Sequence, residues 1–124
     1  MSQPKNWIEY FEQIEKRPGM YFGRPSVRAL QFEIQGFRDA EIYYTIPEEN
    51  RLGGFSFEKF EEWVDKKHNQ ENLSINSFTQ AQYVNSQNKK DFFASNNASS
   101  EDTEEAFKTW FQWYHEFLTE EDNT

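Results

Sequence analysis

The stretch Glu15-Lys16-Arg17-Pro18-Gly19-Met20-Tyr21-Phe22-Gly23-Arg24-Pro25-Ser26 separates two helical patterns and decides how the chain is read. Arg17 precedes a proline, which disfavours the helical region at Arg17, so a first helix ends there. Pro18-Gly19 fits the centre of a type II turn, with proline fixing φ and glycine supplying φ > 0. Gly23 and Pro25 break the chain again, and Ser26 is placed to cap the next helix. Met20, Tyr21 and Phe22 are apolar inside this polar punctuation, so the segment is expected to pack on the core.

Upstream, Asn6 followed by Glu9 fits a capping box. Trp7, Ile8, Phe11 and Ile14 share one helical face, which predicts a helix over 6–16. Downstream, Val27, Leu30, Ile34 and Phe37 repeat at helical spacing, so the next helix runs from near Ser26 to at least Arg38. It either continues through Ile42, Tyr43 and Tyr44 toward Pro47, or Tyr43-Tyr44-Thr45-Ile46 forms a short strand; periodicity leaves both open. Glu48 to Gly54 reads as a loop. Ser56 caps a third helix over 57–68 with Phe57, Phe60, Trp63 and Val64 as its stripe.

Residues 69–77 are polar and irregular, and Phe78, Ala81 and Val84 mark a fourth helix. Residues 95–100 read as a polar loop. A final helix is capped by Ser99 or Ser100, with Glu101, Asp102, Glu104 and Glu105 at its positive end. Ala106, Phe107, Trp110, Phe111, Tyr114, Phe117 and Leu118 form its apolar face, with Trp113 set off that stripe. Residues 120–124 read as a frayed, charged tail. The expected fold is mostly α, with four to five short helices around an aromatic-rich core in a single domain over 1–124. One short strand or hairpin stays open as an addition.

Composition supports that core and narrows the function. The 124 residues are 19% aromatic and only 35% hydrophobic, so rings must supply most of the buried area. The net charge of −9 is uneven. Residues 1–38 carry four acids and six bases, whereas 39–124 carry 18 acids and seven bases. Such a balance argues against nucleic acid as partner and suits a basic protein. No apolar run approaches the length of a membrane span, and the N-terminus lacks the apolar core of a secretory signal, so a cytoplasmic location is expected.

Catalytic chemistry is poorly provided. There is no cysteine, and the only histidines, His68 and His115, lie far apart in sequence without a zinc-ligand spacing. Carboxylate pairs such as Glu61-Glu62 are too common here to single out an acid–base centre. No enzyme activity, metal or cofactor is expected. The candidate functional residues are surface groups. Glu58, Glu61, Glu62 and Asp65 share one face of the third helix, where plain solvation is the competing reading. Glu41, Glu48 and Glu49 stand near Tyr43 and Tyr44, combining charge for steering with rings for anchoring; the two tyrosines also fit the core. Trp113 is either an interface anchor or the filler of a wide core. Oligomeric state is not legible.

Arg17-Pro18-Gly19-Met20-Tyr21-Phe22-Gly23 resembles a segment of gyrase B within the GHKL ATPases. That family also carries an Asp-x-Gly-x-Gly motif and a glycine-rich lid, and this chain, with five glycines, has neither. A second resemblance covers nearly the whole chain. The N-terminal Trp helix, the Arg17, Pro18, Met20, Tyr21 and Gly23 motif, the helix from Ser26 through Gly36-Phe37, Phe60-x-x-Trp63-Val64-x-x-Lys67 and Glu104-Glu105-Ala106-Phe107 together resemble small acidic bacterial immunity proteins. Membership would imply binding and neutralisation of a cognate toxin, a basic protein such as a nuclease domain, by covering its active site or an exosite. An adaptor or regulatory binding module without a toxin partner is the alternative role, and a nucleotide-binding fragment, as the GHKL resemblance would imply, is the remote one. Residues 69–98, rich in Asn, Gln and Ser, depart most from the immunity-protein pattern.

Overall fold

The structure, a computed structural model, describes residues 3–94 and 101–122. These form six α-helices and two short 3₁₀ turns, with no strand among the described residues. The helices are α1 (Trp7–Lys16), α2 (Pro18–Phe22), α3 (Val27–Tyr43), α4 (Phe57–His68), α5 (Ser77–Val84) and α6 (Glu104–Asp122). The mostly helical, ring-packed fold expected from the sequence is what is found, with one short helix more than the upper count.

That extra helix replaces the predicted type II turn. Pro18 opens α2, where its missing N–H would have had no helical partner. Gly23, at φ 77°, rather than Gly19, takes the left-handed position and returns its N–H to the Gly19 carbonyl at 3.0 Å. Arg17 does leave the helical region, at φ −140°. Of the apolar trio, Tyr21 and Phe22 pack on the core while Met20 is exposed.

Side-chain caps set most helix starts. Asn6 accepts from the Glu9 N–H, Ser26 from Ala29, Ser56 from Lys59 and Asn76 from Thr79. The start of α6 is capped by Thr103, which accepts from the Ala106 N–H; Ser99 and Ser100, together with the predicted loop 95–100, lie outside the described residues. Asp102 does not sit on the α6 dipole as expected. It is buried and serves the start of α3.

Rings fill the centre. Phe11 is fully buried, edge-on to Trp110 and Tyr114 at 5.6 and 5.1 Å. Trp110 stacks on Phe78 at 5.2 Å, and its indole N–H donates to Ser77 at 2.9 Å. Helix α5 packs against α3, α4 and α6, so Ser77, expected at the end of an irregular 69–77 segment, begins a helix and is buried.

Two further expectations change. The run 43–46 is not a strand: α3 ends at Tyr43, and the Tyr44 and Ile46 N–H groups turn back onto the Ala40 and Glu41 carbonyls at 2.9 Å each. The tail is helical through Asp122 because the Trp63 indole N–H donates to Glu120 at 2.6 Å and Lys67 pairs with it at 3.2 Å; residues 123 and 124 lie outside the described residues.

Candidate partner-binding site

Helix α3 changes character halfway. Val27, Leu30 and Ile34 are buried, but from Gln35 to Thr45 every residue except Glu41 is exposed. The stripe ends at Phe37, whose ring still packs edge-on against the buried Trp7 at 5.3 Å and Tyr10 at 6.0 Å, because Arg38 and Glu41 stand where the next apolar residues should fall. Only the last turns of α3, beyond Phe37, therefore extend past the buried stripe, and a helix end of that length is marginal in water without tertiary contacts. At its tip Ile42, Tyr43 and Tyr44 are 63%, 82% and 70% exposed. The two tyrosines are thus not core residues; the chain has turned before either can reach it. They touch each other edge-on at 5.1 Å. Phe32, one face further back on α3, is 58% exposed beneath the Arg28 guanidinium.

The tip is braced. Glu41 is half-buried, and its carboxylate accepts from the Leu52 N–H at 2.7 Å, drawing the following loop back along α3. Arg51 donates to the Ile46 carbonyl at 2.9 Å. Thr45 sits at φ 53°, a left-handed conformation that a β-branched residue adopts only under constraint. Backbone strain of this kind concentrates where a structure has a task to perform.

Two cavities flank this arm. One, of about 420 Å³, brings Glu41 and Glu48 together with Glu58 from α4. Two acid groups that are separate in sequence therefore meet. The other, of about 370 Å³, has Ile34, Phe57 and Phe78 in its wall and Glu61 at its edge. Arg38 lies over the Phe57 ring at 4.6 Å and borders both cavities. Glu49 and the two tyrosines stand outside them on the exposed tip.

The α4 acid row divides. Glu58, Glu62 and Asp65 are exposed, whereas Glu61 is half-buried and takes the Ser77 N–H and hydroxyl at 2.7 and 2.5 Å. Burial pushes the Glu61 carboxyl above its ordinary value, against the lowering effect of the two Ser77 bonds. Its job is to hold α5, and it is not a free surface charge. Asp65 accepts from Asn69, which also brackets Leu73.

Trp113 is not a surface anchor. It is 4% exposed and stacks on His68 at 4.5 Å. Trp113 lies three residues after Trp110 and four before Phe117, so it belongs to a buried face wider than the predicted stripe. His68 ends α4, and His115 pairs with Glu15 at 2.7 Å on another part of α6. Among the described residues no three His, Asp or Glu side chains are grouped to hold a metal ion. The motif residues Arg17, Pro18, Gly19, Met20, Tyr21 and Gly23 build α2 and its ends, well away in sequence from the α3 tip. Sequence reasoning missed Phe32, Ile42 and Arg38; the stripe's end at Phe37 was the signal that could have found them.

No helix among the described residues is long and apolar enough to cross a membrane. No family model, curated protein or solved structure matches the chain.

Proposed function

We propose that this chain is an immunity protein: a cytoplasmic, non-enzymatic binder that neutralises a cognate bacterial toxin carrying a basic surface, without engaging nucleic acid or membrane. The observation that carries the reading is the exposed end of α3, where Ile42, Tyr43 and Tyr44 stand in solvent together, close in sequence to the exposed Glu48 and Glu49. Three large side chains left in water at one helix tip favour association, because covering them releases water from apolar surface. The surrounding carboxylates supply long-range attraction to a basic partner, raising encounter rates toward about 10⁸ M⁻¹s⁻¹ at low salt. The resemblance of the Arg17–Gly23 motif and its flanking helices to small acidic immunity proteins points the same way. Occlusion of the toxin's active site or of an exosite would follow from seating this tip on the toxin.

The test is co-expression with the product of the adjacent gene. That product is expected to be toxic alone, to co-purify with this chain and to lose toxicity in its presence. A neighbour that is harmless alone, or that this chain neither binds nor rescues, overturns the reading.

A further inference from the structure

The groove between α3 and α4 has a composition that specifies more than a basic partner. Its two cavities share Arg38, Ile42 and Phe57 and so adjoin along one trough, with Arg38 lying over the Phe57 ring where they meet. The cavity between Ile34, Ile42, Phe57 and Phe78 has an apolar wall. The other carries Glu41, Glu48 and Glu58. Of the five acids that line them, Glu41 is taken up by the Leu52 N–H and Glu61 by Ser77, which leaves Asp39, Glu48 and Glu58 beside two arginines. Those arginines keep their charge but are held back against the protein, Arg38 over the Phe57 ring and Arg51 on the Ile46 carbonyl. Glu48 and Glu58 are exposed at the rim, so the field that meets an approaching chain is negative.

The trough also restricts the backbone of its occupant. No strand exists among the described residues, so an extended peptide finds no sheet edge for its N–H and C=O groups. A helical segment satisfies them internally and presents side chains about one turn apart on one face.

We infer that this trough seats an amphipathic helical segment of a basic protein, with an aliphatic or aromatic side chain in the apolar cavity beside Ile42 and a lysine or arginine roughly one turn away meeting Glu48 and Glu58. The inference deepens the toxin-binding reading and rests on it for the partner being a protein.

The probe is a fluorescently labelled synthetic leucine–lysine peptide with helical amphipathic spacing, read by anisotropy against the full chain. A peptide of the same composition in scrambled order serves as the charge control. Saturable binding of the patterned peptide is expected, at least about tenfold tighter than the scrambled one, since the difference is the burial of an apolar face. Ile42→Ser is expected to weaken it about tenfold with the thermal midpoint unchanged, because Ile42 is exposed. Glu58→Gln should weaken it about two- to threefold, and Glu105→Gln, at the far end of the molecule, by less. Equal binding of the two peptides, no effect of Ile42→Ser, or an equal effect of the two Glu→Gln changes would overturn the inference. If the adjacent gene product is neutralised by the wild-type chain and by Ile42→Ser alike, the trough is wrong and the immunity reading stands. If the peptide behaves as expected but the neighbour is not neutralised, the immunity reading fails and the trough stands.

Discussion

The carboxylate of Asp102 closes the start of the helix that Ser26 caps. One oxygen accepts the Ser26 hydroxyl at 2.6 Å and the Arg24 guanidinium at 3.0 Å, and the other accepts the Val27 N–H at 3.0 Å. A residue just before α6 thus satisfies the N-terminal donors of α3, whose own cap, Ser26, is fixed by the same bond. Asp102→Ala should lower unfolding free energy by about 3 kcal/mol, since it strands buried donors. Arg24→Ala should cost about 1 kcal/mol or less, the guanidinium side chain being 55% exposed. Urea denaturation of both variants checks the ratio; equal losses would mean that the ion pair, not the cap, matters.

Trp113 offers a test of burial against interface. Trp113→Ala should cost about 3 to 5 kcal/mol through the cavity left between α4 and α6. Trp113→Phe should keep most of that stability and leave partner binding unchanged. Loss of binding by a Trp113→Phe variant that still folds would place the indole at the interface.

Why some of this is legible in the sequence and some is not follows from particular residues. Helix α4 can be read at 57–68 because Ser56, the Phe57–Val64 stripe and the lysines near His68 are all local signals, and it is found there. The end of α1 follows from Pro18 for the same reason. Asp102 could not be assigned, because its partners lie 74 to 78 residues away and only tertiary packing brings them near. Glu61 looks like its neighbours on an acidic row, yet it stands at the edge of that row next to the apolar stripe, where the arrival of Ser77 buries it. The fate of Tyr43 and Tyr44 depends on how far α3 outruns the core, a length that periodicity alone does not give.

Glu61 makes stability pH-dependent in a definite direction. Its carboxyl is held above its ordinary value, with burial the largest cause. The folded state therefore holds the proton where the unfolded chain has released it, and stability from this site is full below the ordinary carboxyl value. It is lost as pH rises through the raised value. Glu61→Gln should remove that dependence, so the wild-type thermal midpoint should fall relative to the variant's as pH rises above the ordinary carboxyl value of about 4. Glu120 works in the opposite sense, since Lys67 and then Trp63 lower its value and its contribution fades as pH falls. A Glu61→Gln midpoint that tracks wild type across the range would remove burial as the controlling cause.

Two positions in α3 and at its end carry backbone cost without packing reward. Gly36 lies mid-helix, and a methyl group added there would meet no atom within 4 Å, so Gly36→Ala should add about 0.5 to 1 kcal/mol of stability. Thr45, at φ 53°, should gain about 1 kcal/mol on replacement by glycine. By contrast Gly23→Ala, at φ 77°, should lose about 1 kcal/mol. Chemical denaturation of the three variants gives the signs directly, and a stabilising Gly23→Ala would contradict the αL argument.

The same tip provides the sharpest separation of folding from function. Tyr43 and Tyr44 contact each other and extend into solvent, so their replacement by serine removes little buried area from the folded chain. Tyr43→Ser/Tyr44→Ser should therefore leave stability within the range of ordinary surface changes, about 0.5 kcal/mol. Its affinity for the toxin should nevertheless fall about tenfold or more, mainly through faster dissociation, because exposed rings that become buried dominate the lifetime of a complex. Replacing Glu48 and Glu49 by glutamine should act on the other rate: slower association, with the difference from wild type shrinking as salt is raised. Surface plasmon resonance at two ionic strengths separates the two. Unchanged dissociation in the tyrosine variant would remove the α3 tip from the interface even if the chain still neutralises its partner.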